Sequence, residues 1–378
     1  VKSGVNPVLS RNCDENPFLS QVIHQTDVLY TSWSGSKNVR KILSFDENSL
    51  QTTGSLFFYT KRIFSMHKQK ITPVLLFLVF TLLLGACGAQ TAAPEMVEPG
   101  IVLTDDLGRE VTLDAPAASI VSIAPSNTEI LYAIGAGDLL VGRDEFSYYP
   151  EEALDITSIG GGFEDYNLET ITSLNPDLVL AAEINAPEVI DALEKLDIPV
   201  YYLGNPDDFA GLYANIKTVG ILSGHENEAK TLAESLQTRV ESLLKLIAED
   251  ENIPTVFFEL DASEPAKPWT TGGGTFVNYL ISMAGAKNIA ADVKDEWVQY
   301  SQEELIVQNP DIIILADAKW GTTADMVKER PGWDVLSAVQ NNAIYPIDDD
   351  LTSRPGPRLV DGLEAMVKIC HPELEIND

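Results

Sequence analysis

Chemistry needs particular side chains brought close together, and residues 88–378 of this sequence offer few such sets. They hold two histidines, His225 and His371, far apart in the chain, and one thiol, Cys370. No pair of ligands stands at helical spacing, so a protein-held metal centre is not expected. No Ser/His/Asp or Cys/His set is visible. The stretch "TGGGT" (271–275) precedes a helical pattern and would suit a phosphate. It lacks the Lys-Ser/Thr that completes a phosphate-gripping loop, which leaves a two-lobed glycosyltransferase-like enzyme as a remote alternative. Aromatic residues are what the loops do carry: Phe146, Tyr148, Phe163, Trp269, Trp297 and Trp320. Apolar walls with a few polar anchors suit a flat macrocycle or a catechol. The expected work is therefore recognition without a covalent step: no enzyme and no resident cofactor.

Loops that recognise need a frame, and this frame is written twice. "NPDLVLA" (175–181) and "NPDIIILA" (309–316) begin 134 residues apart. Each follows a helical stretch, 168–174 and 302–308. Asn tolerates the left-handed turn that closes a helix, and Pro cannot continue one. The apolar runs that follow, such as 178–182, read as strands buried on both faces. Upstream, "SIVSIAP" (119–125) is a strand. Ser126 or Asn127 is the expected cap of a helix carrying Ile130, Leu131 and Ile134 and closed by Gly135; "DLLVGR" returns as a strand. The second half repeats the order with "TVFFEL" (255–260), a helix ending at Ala284-Gly285, and a short strand. Downstream, 187–203 and 330–347 each read as helix then strand. The expected fold is α/β: two Rossmann-like lobes with parallel sheets, residues 101–206 and 251–378, joined by a single long α-helix.

Residues 207–250 are that linker. A first helix, 207–222, breaks at Ser223-Gly224. A second, 225–249, carries an apolar stripe of Leu232, Leu236, Val240, Leu243, Leu244 and Ile247. It would span roughly 37 Å at the α-helical rise. So stiff a joint predicts small opening motions.

The amino-terminal quarter reads differently. From Met66, basic residues lead into an uncharged stretch, Ile71 to Ala86, and then "LGAC". That stretch is short for a membrane span and suits a signal peptide. Residues 66–86 are the expected signal, Met66 the expected start, 1–65 an upstream extension, and 87–100 a small, polar tether. "LGAC" resembles the lipobox of bacterial lipoproteins. The resemblance implies cleavage before Cys87, lipidation of its sulfur, and membrane anchoring through more than one acyl chain. Residues 88–378 carry a net charge of −36. Such a surface repels nucleic acid and favours solubility.

A lipid tether and two α/β lobes on one long helix resemble the class III substrate-binding proteins of bacterial ABC importers. The motifs that carry the resemblance are "SIAPSNTEILYAIGAGDLLVG", "NLETITSLNPDLVL", "TGGGTF", "AGAKNIA" and "RPGPRLVDGLEAM". The resemblance implies a monomer outside the cytoplasm that captures cobalamin, a related corrinoid, a ferric siderophore or haem and delivers it to a permease. A surface sensor with the same fold is the other reading. Ligands of such sheets sit beyond the strands' carboxyl ends. The expected cleft loops are 124–128, 144–149, 160–166 and 182–187 in the first lobe, and 261–275, 292–300, 317–322 and 348–358 in the second. Against the family's cobalamin binder, Phe146, Trp269 and Trp297 fall on pocket aromatics, and Asp350 and Arg354 fall on polar anchors. Gly160 and Ala182 replace its first-lobe tryptophans, so half the aromatic cradle is absent. Tyr148 or Tyr149 could ligate a haem iron. Arg354 and Arg358 could pair anionic groups of a chelate, with an ion pair inside the second lobe favoured for Arg358. In this family one acid per lobe meets the permease. Glu169 matches the first, though a helix's first turn also favours an acid. Lys287 reverses the second, and Asp292 is the expected substitute.

Overall fold

The computed structural model describes residues 100–376 except 163, 164, 249 and 251. Cys87, the signal, residues 1–65 and Phe163 lie outside the described residues. A hairpin of β1 (Ile101–Thr104) and β2 (Glu110–Leu113) opens the described chain as its own two-stranded sheet. β3 (Ile120–Ser122), α1 (Pro125–Ala133), β4 (Leu140–Arg143), α2 (Leu168–Leu174), β5 (Leu178–Ala182), α3 (Pro187–Glu194) and β6 (Val200–Leu203) build the first lobe. Its four strands lie in the order β4-β3-β5-β6, all parallel.

α1 starts two to three residues earlier than the sequence suggests, capped at Ala124. Pro125 takes the first helical position, where its fixed φ is preorganised and its missing N–H costs nothing. Ser126 and Asn127 therefore lie inside the helix and are buried, and Asn127 donates to the Ala181 carbonyl on β5 at 3.1 Å.

The linker is α4 (Phe209–Ser223) and α5 (Glu226–Ile247), divided by Gly224 in the left-handed region. α5 buries Ala229, Ala233, Leu236, Val240 and Leu243, so two alanines join the stripe expected from larger apolar residues. Leu232, Leu244 and Ile247 are only half buried.

The second lobe runs β7 (Thr255–Asp261), β8 (Trp269–Thr271), α6 (Phe276–Met283), β9 (Lys287–Asn288), β10 (Trp297–Gln299), α7 (Gln302–Gln308), β11 (Ile312–Leu315), α8 (Ala324–Lys328), α9 (Ser337–Gln340), β12 (Ile344–Pro346), α10 (Asp350–Ser353) and α11 (Leu359–Cys370). Its sheet is mixed. β7, β11 and β12 are parallel, but β8 pairs antiparallel with both β7 and β10. The stretch 330–347 also departs from helix-then-strand. Residues 330–336 form turns that bury Trp333 at 1% exposure, with the Arg330 guanidinium 4.5 Å over its ring, and only α9 is helical.

The duplication is visible at the level of single bonds. Asn175 and Asn309 both adopt the left-handed conformation, at φ 47° and 45°, and end α2 and α7. Two residues on, Asp177 accepts from the Ser119 backbone N–H at 2.9 Å and its hydroxyl at 3.0 Å. Asp311 accepts from the Thr255 backbone N–H at 2.9 Å and its hydroxyl at 2.6 Å. Each aspartate thus fastens the start of its own strand to the strand beside it. The pairing that follows is in step as well: Ile120 faces Leu178, and Val256 faces Ile312. Above these staples lie two cores. One gathers Val121, Ile171, Val179, Ile190 and Val200; the other gathers Phe257, Ile313, Leu305, Trp333 and Ile344.

Candidate ligand-binding cleft

The carboxyl ends of both sheets open into cavities. In the first lobe a cavity of about 580 Å³ draws on all four expected loops. Its apolar wall includes Ile123, Phe146, Leu168, Ile184 and Val189, and its acids are Asp144, Asp165 and Glu188. Its base is held by a small polar network. Asn185 donates to the Ile123 carbonyl and to the Tyr166 hydroxyl, both at 2.8 Å, and accepts from the Ala182 N–H at 2.7 Å. Tyr166 donates in turn to the Ile123 carbonyl at 3.0 Å, and burial pushes its hydroxyl up to about 12. Asp144 fixes the turn that presents Phe146: one carboxylate oxygen accepts from the Phe146 N–H at 2.9 Å, the other from the Ser147 hydroxyl. Burial raises the Asp144 carboxyl above the usual range, against the pull of these hydrogen bonds.

In the second lobe a cavity of about 600 Å³ lies among Ala318, Lys319, Pro346, Ile347, Asp348 and Asp350, with Tyr148 of the first lobe on its wall. One segment, 144–149, therefore serves both cavities.

Tyr148 is the first of two ties between the lobes. Its hydroxyl donates to Asp350 at 2.7 Å and receives the Lys319 ammonium at 2.8 Å, and the Arg354 guanidinium lies 4.5 Å over its ring. Asp350 also accepts from Lys319 at 2.8 Å and pairs with Arg354 at 2.9 Å. Burial works to raise the Asp350 carboxyl; the bonds from Lys319 and Tyr148 and the nearby Arg354 charge outweigh it and hold it below the usual range.

The second tie is Glu129, on α1 and 3% exposed. Arg358 grips it with two bonds, at 2.9 Å and 2.6 Å, and Arg354 reaches it at 3.5 Å. Arg358 thus makes its ion pair across the lobes and not inside the second one. The reason is placement: the segment that leads into α11 lies against α1 at Ser126 and Glu129, and a buried Glu needs a fork of donors. Tyr149 lies beneath the same guanidinium, 3.8 Å from ring centre to Arg358.

Asp350, Arg354 and Tyr148 therefore come together, and Phe146 stands two residues away in the adjoining cavity. Trp269 and Trp297 stand apart from both cavities. They lie on paired strands and not in loops: Trp297 faces Thr271 and Trp269 faces Gln299, which puts both indoles on one face as diagonal neighbours. They are 41% and 49% exposed, and Trp320 is 70% exposed. Glu169, in the first turn of α2, and Asp292 are exposed, as is Lys287 at the start of β9.

Four contributors escaped the sequence reading: Glu129, Tyr166, Asn185 and Lys319. Tyr166, Asn185 and Lys319 lie in segments recognised as cleft loops, and their polarity at a strand's end was the available signal. Glu129 sits amid a helix and gave none. His371 was read as isolated, yet it packs with Asp250 at 2.7 Å and Glu373 at 3.8 Å, far from the cleft loops in sequence.

Comparison with known proteins agrees with this architecture. A substrate-binding lipoprotein of Bacillus subtilis, YvrC, described as an uncharacterized ABC transporter component, is 34% identical over 78% of this chain and 95% of its own. Among solved structures, a possible iron-binding periplasmic solute-binding protein of Staphylococcus epidermidis matches with a TM-score of 0.60 at 31% identity, over 68% of this chain and 99% of that one. The periplasmic vitamin B12-binding protein BtuF of Vibrio cholerae matches with a TM-score of 0.59 at 29% identity, over 68% and 97%. Residues 120–351 match the periplasmic binding protein family model, and the chain belongs to that family.

Proposed function

We propose that the protein is the substrate-binding component of an ABC importer, held outside the cytoplasm by lipid on Cys87, and that it carries a corrinoid or iron chelate between its lobes. It is a binding protein and not an enzyme. The observation that carries the ligand reading is the pair of cavities at facing strand ends, lined by Phe146 on one side and bridged by Tyr148 to Asp350 on the other. The volumes suit a ligand of drug size or somewhat larger. Phe146, Tyr148, Asp350 and Arg354 are its contacts in this reading. Phe163 joins them from the 160–166 loop, and Trp269 and Trp297 form an outer aromatic face that closes on the ligand. Glu169 and Asp292 face the permease.

Titration of the mature protein with cobalamin, cobinamide, haem and ferric siderophores, followed by tryptophan fluorescence, tests the ligand. The expected result is saturable quenching by one of these, weakened by Trp297→Ala. No quenching by any of them overturns the ligand class. Metabolic labelling with palmitate, lost in Cys87→Ala, tests the anchor.

A further inference from the structure

Resting on that reading of the cleft, we infer that the carried chelate has a cationic or amide-donating periphery, and that the same chelate bearing a free carboxylate is rejected. The argument is an account of charge. Three cations stand at the cleft: Lys319, Arg354 and Arg358. None is available to an anion. Lys319 is held by Asp350 at 2.8 Å and Asp349 at 3.0 Å, Arg354 by Asp350 at 2.9 Å, and Arg358 by Glu129 at 2.6 Å. An anionic ligand would have to take a cation from one of these carboxylates. Glu129 and Asp350 are too buried to be left without a counter-charge cheaply.

The carboxylates opposite are in the reverse condition. No Lys or Arg lines the first-lobe cavity. Among the described residues, the exposed carboxylates of Asp165 and Glu188 have neither hydrogen-bond nor ion-pair partner, while Asp144 lies buried on the wall of the same cavity. Free carboxylates at the rim of an apolar wall of Ile123, Phe146, Leu168 and Val189 accept N–H donors and attract positive charge, and a ligand that fills the cavity strengthens this by excluding water. The tryptophan strands do not offset this. They are flanked by Lys267 and Lys294, but also by Asp261, Glu264, Asp292, Asp295 and Glu296. Steering toward the mouth by the whole chain, at −36 over residues 88–378, has the same sign.

The test uses matched probes that share one shape and differ in one group. Ferrioxamine B carries a free ammonium; its N-acetyl form is neutral and its N-succinyl form anionic. Cobalamin is compared with its aminoethyl-amide and monocarboxylic acid derivatives. Whichever series binds the mature protein, the ammonium form should bind at least as tightly as the amide, and both about tenfold or more tighter than the carboxylate. Added salt should weaken the ammonium form selectively. Glu188→Gln should weaken the ammonium form about threefold more than the amide. A carboxylate form that binds as well as the amide overturns the inference while leaving the importer reading intact, as does a Glu188→Gln variant without charge-selective effect. Binding of neither series overturns the inference, and the ligand reading falls with it only if cobinamide, haem and the other ferric siderophores also fail to bind.

Discussion

The two lobes are alike at the amino ends of their strands and unlike at the carboxyl ends. At one end each uses Asn to stop a helix and Asp to staple two strands, with the same pairing register. At the other, the first lobe closes with a neutral network of Tyr166 and Asn185 under an open acidic cavity. The second closes with ions. Glu259, on β7, is fully buried and bidentate to Arg330 at 2.5 Å and 2.7 Å, and Asp350 gathers Lys319 and Arg354. The foundation of a duplicated fold is held by backbone chemistry that any ligand requires. The mouths carry the differences, a neutral network in one lobe and ion pairs in the other.

That contrast is open to direct attack. The largest expected effect is Arg330→Ala, which strands the Glu259 carboxylate; loss of one partner of a buried pair costs about 3–5 kcal/mol. Denaturant unfolding measures it, and a loss under 1 kcal/mol would mean that the second lobe does not depend on its ions. Next comes Glu129→Ala, expected to cost about 3 kcal/mol and to leave Arg358 without its counter-charge. Small-angle scattering should show wider lobe separation; an unchanged profile would leave the ties as passengers. Asp177→Ala and Asp311→Ala should each cost about 1–2 kcal/mol. Near-equal losses sharpen the likeness of the two staples, and a loss in only one lobe breaks it.

A pH titration gives a smaller effect. The Asp350 carboxyl is held below its unfolded value of 3.8. Its contribution is complete above that value and is lost as pH falls through the lower folded one. Asp350→Asn should flatten stability against pH in that acid window and nowhere else. The smallest effect is chemical. Burial pushes the Cys370 thiol up to about 12. With Cys13 and Cys87 changed to Ser, the native protein should resist thiol reagents at pH 8 and react only once unfolded.

What the sequence disclosed follows from the range of each interaction. Asn-Pro ends a helix by its own geometry, so both stops were legible, as were the buried strands after them. Pro125 was legible only as a stop, because the same ring that ends a strand begins a helix. Trp269 and Trp297 were read as loop residues because strands of three residues leave no periodicity. Trp333 was read into a helix for its helical neighbours, yet the core beneath it decides its place. Tyr148, Asp350 and Arg354 were picked out as cleft residues, but the Glu129 tie was not legible at all. Glu129 meets Arg358 across 229 residues, and no local pattern distinguishes a glutamate that crosses a cleft from one that faces water.

Duplication suggests modules, and Glu129 argues against treating the lobes as such. One carboxylate on the first lobe answers two guanidinium groups on the second. Loss of Glu129 strands Arg358, and loss of Arg358 leaves Glu129 only the 3.5 Å contact from Arg354, so a change at either favours a change at the other. A chimera that takes one lobe from a relative inherits half of that bargain. Its lobes would each fold on their own staples and still fail to fit, unless Glu129, Arg354 and Arg358 travel together.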